Sequence, residues 1–292
     1  MAFTAHDPRY GKGIVELDLL VLTPEELEAR LLAVFEAPGY QPPALPRIAL
    51  ELLELSRRPG FTVRPVLRVL EQDPLLAASI MKIARSPLYA PVRPPASLRE
   101  ALVRLGSRAL GEIVLVAATS QRVFRVPGYE KPMHALQQHS LAVAHAARVF
   151  ANASRREGDL AFLAGLLHDA GMAAALVALT DRVRKPPPFD EIFPVVEQTH
   201  AKTGERLAQL WKLPDDVRAA IAGHHQRPRG NDWLGVMIML GNKVALETGA
   251  PGLEGPSAAS APALAAGLGL SPDKFATTWA AAQQAVTTAL AS

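Results

Sequence analysis

The chain has 292 residues, 49% of them hydrophobic and 20% charged, a globular composition with room for one large or two ordinary domains. It contains no cysteine, which excludes disulfides and thiolate chemistry and leaves only nitrogen and oxygen donors for any metal. The net charge of +3 is uneven: residues 41–129 carry 13 basic and 6 acidic side chains, whereas residues 1–40 carry 3 and 7.

The opening MAFTAHDPRYGKG is polar and lacks the apolar region of a signal peptide. No apolar run approaches bilayer length, and the longest, Met172 to Leu179, fits a buried helix. A cytoplasmic protein without a membrane partner is expected. Ile14 to Leu22 alone has strand character. Thr23-Pro24-Glu25-Glu26 is a helix start, with Thr as N-cap, Pro at the first helical position and Glu three residues after the cap. Leu27, Leu31, Leu32, Val34 and Phe35 then form an apolar stripe. Apolar residues three or four apart predict helices over Pro46–Arg57, Val63–Gln72, Pro74–Arg85, Leu98–Leu105 and Arg108–Phe124. The Pro-rich stretch Ser86 to Pro95 breaks the chain into a loop. Pro127, Gly128 and Pro132 mark a seam at residues 125–132. Five or more helices follow from Met133 to about Thr248. Residues 250–270, rich in Gly, Pro, Ala and Ser, predict a loose connector, and Ser271–Leu290 a final helix.

The class is all-α: an N-terminal extension with one helix (1–40), an N-terminal helical subdomain (41–129), a second helical bundle (130–250), and a connector with C-terminal helix (251–292). The basic excess of residues 41–129 points to a contact surface, with Arg64, Arg68, Arg93, Arg99, Arg104 and Arg108 as candidate exposed positions. The plainer reading is a solvated face. Nucleic acid is disfavoured because no aromatics interleave the charge.

Chemistry concentrates in the bundle. His139, then His168-Asp169 within GLLHDAG, His200 within THAKTG, and His224-His225 within AIAGHHQ each fall on or beside a helix. Neighbouring residues on a helix point about 100° apart, so a His-Asp or His-His pair can serve two adjacent metals. Imidazole with carboxylate suits Fe, Mn, Zn or Ni. Taken singly, each histidine has an ordinary structural explanation, and His145 fits no pattern. The ordered set is the informative feature.

That order resembles the HD superfamily of metal phosphohydrolases, in particular its HD-GYP branch, through HAKTGERLAQL and VRAAIAGHH. Upstream, ALPRIALELLEL, LEQDPLLAASIMKIARSPLYAP and LREALVRLGSRALGEIVL resemble the HDOD domain, with Arg85 standing where an Asn is usual. The resemblance spans about residues 41–250. It implies an HD-like bundle packed with a second, N-terminal helical subdomain. It also implies one metal held by His139, His168 and Asp169, and a second held by Asp169, His200, His224 and His225. Two expected residues are replaced. Asn242 stands at the last carboxylate ligand, leaving six of seven ligands, and Met172 stands where a phosphate-binding Lys is usual. The Gly-Tyr-Pro signature is absent. The implied function is a bacterial signal-transduction output module, catalytically degenerate, that works by protein–protein interaction. Its expected partners are signalling proteins, a second copy of the chain among the candidates. The alternative is a metal-dependent phosphohydrolase acting on a nucleotide or a cyclic dinucleotide such as cyclic di-GMP. In it, His168 and Asp169 are the catalytic candidates, and Lys202, Arg227 or Arg229 would replace the missing phosphate ligand.

Overall fold

Helical period runs through almost every segment of the sequence, and helices are what form. The computed structural model describes residues 23, 25–26, 29, 31, 33–34, 62–70, 74–86, 89, 93–180, 186–228, 230–253 and 259–291, and no strand occurs among them. The strand expected at Ile14 to Leu22 and the helix at Pro46–Arg57 lie outside the described residues. At Thr23 the capping box closes: the Thr23 amide donates to Glu26 Oε2 at 2.8 Å and the Glu26 amide to Thr23 Oγ1 at 3.2 Å. Leu31, from the stripe that follows, is buried in the main core.

Helices α1 (Val63–Leu70), α2 (Pro74–Ala84) and α3 (Leu98–Arg122) enclose a small core of Val66, Leu70, Ile80, Leu102, Leu110 and their neighbours. The two helices predicted on either side of Ser107 are the two arms of α3. They meet at Gly106, whose φ of 66° and ψ of −178° break the helical path, a conformation that glycine takes without steric cost. Ser97 caps the first arm by accepting from the Glu100 amide at 3.1 Å. Glu100 then fastens the preceding loop, accepting from the Ala96 amide at 2.8 Å, from Arg93 at 2.6 Å and from Arg104. Arg104 also donates to the Arg93 carbonyl at 2.7 Å. Arg93 and Arg104 are thus exposed yet tied to the loop they flank. Arg64 and Arg99 are exposed, and the side chains of Arg68 and Arg108 lie outside the description.

The larger core belongs to α4 (Glu130–Ala153), α5 (Gly158–Leu167), α6 (Ala170–Thr180), α7 (Phe189–Leu210), α8 (Asp215–Gly223), α9 (Trp233–Glu247), α10 (Ala261–Gly267) and α11 (Pro272–Leu290). Helix α4 packs against α5, α9 and α11, α6 lies on α7, and α8 bridges α7 and α9. At the seam, the buried Tyr129 hydroxyl donates to the Pro187 carbonyl at 2.9 Å, and burial pushes its pKa up to about 12. The described residues of the connector expected over 250–270, namely 250–253 and 259–270, are more ordered than their composition implied. They hold α10, entered through Ser260 with a proline in the first turn, and their start is folded against α4. Alanine and serine lower apparent order in composition, but alanine is the best helix former once a cap is supplied.

Gly158–Leu179 is the stretch among the described residues that is long and apolar enough to cross a membrane, with a mean hydropathy of 1.7. It is 94% buried in the bundle, and His168-Asp169 interrupts its helical run. The apolar stretch is thus longer than the Met172 to Leu179 run read from the sequence and does reach bilayer length, but it is a core element, as expected of that run.

Small residues let these helices approach at backbone distance. A Cβ at Gly165 in α5 would stand 2.9 Å from Ala144 Cα in α4. A Cβ at Gly171 in α6 would collide with the His200 carbonyl oxygen and stand 2.6 Å from the Gly204 amide nitrogen in α7. Both contacts fall within three residues of His168-Asp169, so they set the depth at which that pair sits between α4 and α7. Gly171→Ala is expected to force α6 off α7 and lower unfolding stability by about 1–3 kcal/mol or more. Urea denaturation reads this out, and an unchanged midpoint would show the contact to be slack.

Candidate metal centre

Each histidine of the ordered set stands at a helix position that turns it inward. His139 and His200 lie within α4 and α7, His168 closes α5, and His224 closes α8. Asp169 follows His168 directly, in the turn before α6. All six predicted residues come together. His139, His168 and Asp169 form one group, and Asp169, His200, His224 and His225 a second, with ligand atoms in each group within 4.8 Å of one another. Asp169 is the shared member. Its Oδ2 lies 3.1 Å from His168 Nε2 and 3.7 Å from His139 Nε2, and its Oδ1 lies 3.2 Å from His224 Nε2 and 3.7 Å from His200 Nε2.

The orientation of the rings decides what this cluster can hold. Four Nδ1 atoms meet backbone carbonyls, which only accept: His139 with Ala250 (3.0 Å), His168 with Gly165 (2.8 Å), His200 with Glu197 (2.5 Å) and His224 with Ile221 (2.6 Å). Nδ1 therefore carries the proton as donor, and Nε2 of each neutral ring presents a lone pair inward. Yet His200 Nε2 stands 3.1 Å from His224 Nε2 and 2.9 Å from His225 Nε2. At that separation the facing lone pairs of His200 and His224 repel unless a cation lies among them, while the His225 ring can donate from Nε2 to His200. Asp169 Oδ1, buried and without a hydrogen-bond partner among the described residues, adds a negative charge to the same point. The donor set fits a divalent metal, with His139, His168 and Asp169 as one set and Asp169, His200, His224 and His225 as the other.

Electrostatics couple the carboxylate to the rings around it. Burial alone would raise the Asp169 carboxyl, but the His168 and His224 imidazoles outweigh it and hold it well below the usual range. Burial pushes His224 down to about 4, against the pull of Asp169 and with help from His168 and His225.

The two replaced positions behave differently. Met172 has 0% exposure and belongs to the main core, so a substrate phosphate does not reach it in this packing. Asn242 lies on α9, and its Oδ1 is buried without a hydrogen-bond partner among the described residues. Of the other phosphate candidates, Lys202 is exposed and Arg229 lies outside the described residues. Arg227 lines a cavity of about 350 Å³ between α8 and α9, together with Asp216, Gln226, Asp232 and Trp233, and none of the six cluster residues lines it. His145 is buried edge-on to the Phe162 ring at 5.3 Å, a packing role.

Sequence reasoning missed the orienting carbonyls. Three were findable, because Gly165, Glu197 and Ile221 each precede their histidine by three residues on the same helix. The fourth, Ala250, lies 111 positions from His139 and carries no sequence signal.

Comparison with known proteins follows the same lines. The HDOD domain family matches residues 43–227. An HDOD domain protein of unknown function from Geobacter sulfurreducens is 23% identical, with a TM-score of 0.67 over 90% of this chain and 98% of its own. A protein provisionally assigned as a metal-dependent phosphohydrolase, from Shewanella amazonensis SB2B, is 20% identical, with a TM-score of 0.66 over 91% and 99%. One provisionally assigned to signal transduction, from Marinobacter aquaeolei VT8, is 21% identical, with a TM-score of 0.68 over 92% and 65%. At these identities the likeness is one of fold. An uncharacterised protein of Treponema pallidum (strain Nichols) is 26% identical over 197 residues, 64% of this chain but 38% of that protein, so the chain spans well under half the length of this relative.

The His224 shift sets a pH dependence for the metal-free protein. Its folded pKa of about 4 lies below the ordinary 6.5, so the unfolded chain takes up a proton first as pH falls. Stability from this group is complete above 6.5, declines as pH falls toward 4, and is flat below. Thermal unfolding in chelator should show the melting temperature dropping across that window, with a shallower slope in His224→Gln. A melting temperature that rises as the pH is lowered would contradict a neutral His224.

Proposed function

This chain belongs to the HDOD family, and from that premise we propose that it is a metal-holding output module of bacterial signal transduction, without phosphodiesterase activity, that acts by binding a protein partner. The observation that carries the reading is the enclosure of the cluster. His139, His168, Asp169, His200 and His224 are each at most 3% exposed, and His225 alone of the six is exposed.

A divalent metal in such a site supplies Lewis acidity and a lowered pKa for bound water. Hydrolysis of a phosphodiester asks more of the chain. Substrate must reach the metals, and a cation of the protein must meet the developing phosphate charge. Here five of the six donors face no solvent, and the position that would carry a lysine is a core methionine. Removing one such electrostatic contact typically costs roughly 10²–10³ in rate. Asn242 further replaces an anionic ligand by a neutral amide. What remains is a rigid, polar, metal-suited core, which supports a structural or sensing use.

The partner surface falls on residues 41–129. Arg64 and Arg99 are the exposed members of the predicted set with the freest placement on α1 and α3, whereas Arg93 and Arg104 are engaged by Glu100. The competing reading is a phosphohydrolase, favoured by the retention of six donors in one cluster.

One experiment separates them. Purified protein loaded with Mn²⁺ or Fe²⁺ is expected to retain metal by elemental analysis while hydrolysing neither cyclic di-GMP nor a generic aryl phosphodiester. Asn242→Asp is expected to tighten metal binding and still give no turnover. Met172→Lys is a poor rescue, because an ammonium at a fully buried position is itself costly. Robust turnover by the wild type, abolished by His168→Ala, would establish the enzyme instead.

A further inference from the structure

Three of the four pinned histidines take their orienting carbonyl from their own helix. His139 takes it from the far end of the bundle, where Ala250 O receives the Nδ1 proton at 3.0 Å. Ala250 is held there by the way α9 ends. The Thr248 and Ala250 amides bond back to the Val244 and Ala245 carbonyls, and Gly249 between them takes φ +83°, the left-handed turn of a helix C-cap. The chain reverses over α4, and two residues on Gly252 lies against the ligating end of the ring. A Cβ built on Gly252 would stand 3.2 Å from His139 Nε2 and 3.3 Å from its Cε1. One short strap therefore fixes the proton on one nitrogen of His139 and bounds the space beside the other.

We propose that residues 249–253 are the positioning element of the His139–His168–Asp169 half of the centre, so that metal binding there and docking of this strap are coupled. The proposal rests on the metal-holding reading above. His139 can ligate through Nε2 only with Nδ1 protonated and the ring turned inward, and the strap supplies both conditions. Coupling of this kind is reciprocal: a docked strap raises metal affinity by the same factor by which metal raises the docked population. The other half, built on Asp169, His200, His224 and His225, takes its orienting carbonyls from Glu197 and Ile221 and makes no use of the strap. The strap leads into α10 and α11, and α11 packs on α4 and α9. The C-terminal segment is thus placed to register occupancy of one metal position and not the other.

Hydrogen exchange on the full chain tests this, comparing chelated protein with protein given Mn²⁺ and, in a parallel arm, Zn²⁺. Protection of the 249–253 amides is expected to rise about tenfold or more with metal. The rise should vanish in His139→Ala, which should still take up metal at the other half. Gly252→Val is expected to weaken one metal equivalent by roughly 10–100-fold, the usual scale for loss of support behind a ligand, and to leave the second unchanged. Gly252→Ala should fall between. Metal uptake by the wild type with no change in strap protection would overturn the coupling and leave the metal-holding reading standing. Failure to take up either metal would overturn both. The wild-type exchange measurement decides the matter even if the Gly252 variants fold poorly.

Discussion

A carboxylate is buried at the centre of this bundle, and the surrounding architecture answers its cost. Asp169 is 3% exposed. An ionised group so placed is stable only with compensating partners, because burial in a low-dielectric core costs several kcal/mol even after relaxation. Four imidazoles, each within 3.7 Å of a carboxylate oxygen, turn their Nε2 lone pairs inward and are set to supply the compensation by holding a divalent cation beside it. They can do so only from fixed orientations, which their Nδ1 bonds to backbone carbonyls provide. Those bonds in turn require a helix end at His168 and at His224, a helix interior at His200, and a chain reversal at Ala250. The backbone contacts at Gly165 and Gly171 bring the helices close enough for side chains of one length to meet. A core of Ala and Leu with few aromatics is what such close approach demands, since large rings would hold α4, α5, α6 and α7 apart.

Much of this was legible in the sequence because it is local. The capping box at Thr23 and Glu26, the cap at Ser271 and the arms of α3 on either side of Gly106 each depend on residues within four positions of one another. The His/Asp set was legible for another reason: its order along the chain resembled a known family, and order survives where spacing drifts. What escaped was long-range or backbone-borne. The Ala250 carbonyl is chemically the same as every other carbonyl, and nothing in PGLEG marks Gly252 as the residue facing an imidazole. Arg93 and Arg104 are surface charge as composition implied, but a single Glu100 engages both to brace a proline-rich loop, which composition does not show. The helix at Ala261–Gly267 was missed because Gly and Ser mask the alanines of α10.

The two halves of the cluster are unequal, and that bears on what kind of site this is. A hydrolytic pair of metals needs a common open face on which substrate bridges both. Here the His139 side is bounded by Gly252, and the other side carries the exposed His225. Two positions with different access suit a centre in which release of the His139-side ion is tied to the strap and the His225-side ion exchanges independently of it.

Magnitudes limit how strong such a device is. Ordering a five-residue strap costs roughly 1–2 kcal/mol per residue in backbone entropy, about 5–10 kcal/mol in all. Against this, a ligand at a hundred times its dissociation constant stabilises the state it binds by about 2.7 kcal/mol. Metal at ordinary occupancy therefore cannot fold the strap from a disordered chain. Burial of Ala250, the two amide bonds that end α9 and the packing of α10 and α11 must already offset most of the cost. Metal acts as a bias on the strap, shifting its docking equilibrium by up to about a hundredfold without creating or destroying it. A bias of that size is large enough to change how the C-terminal helices are held on the bundle and small enough to reverse when the ion leaves.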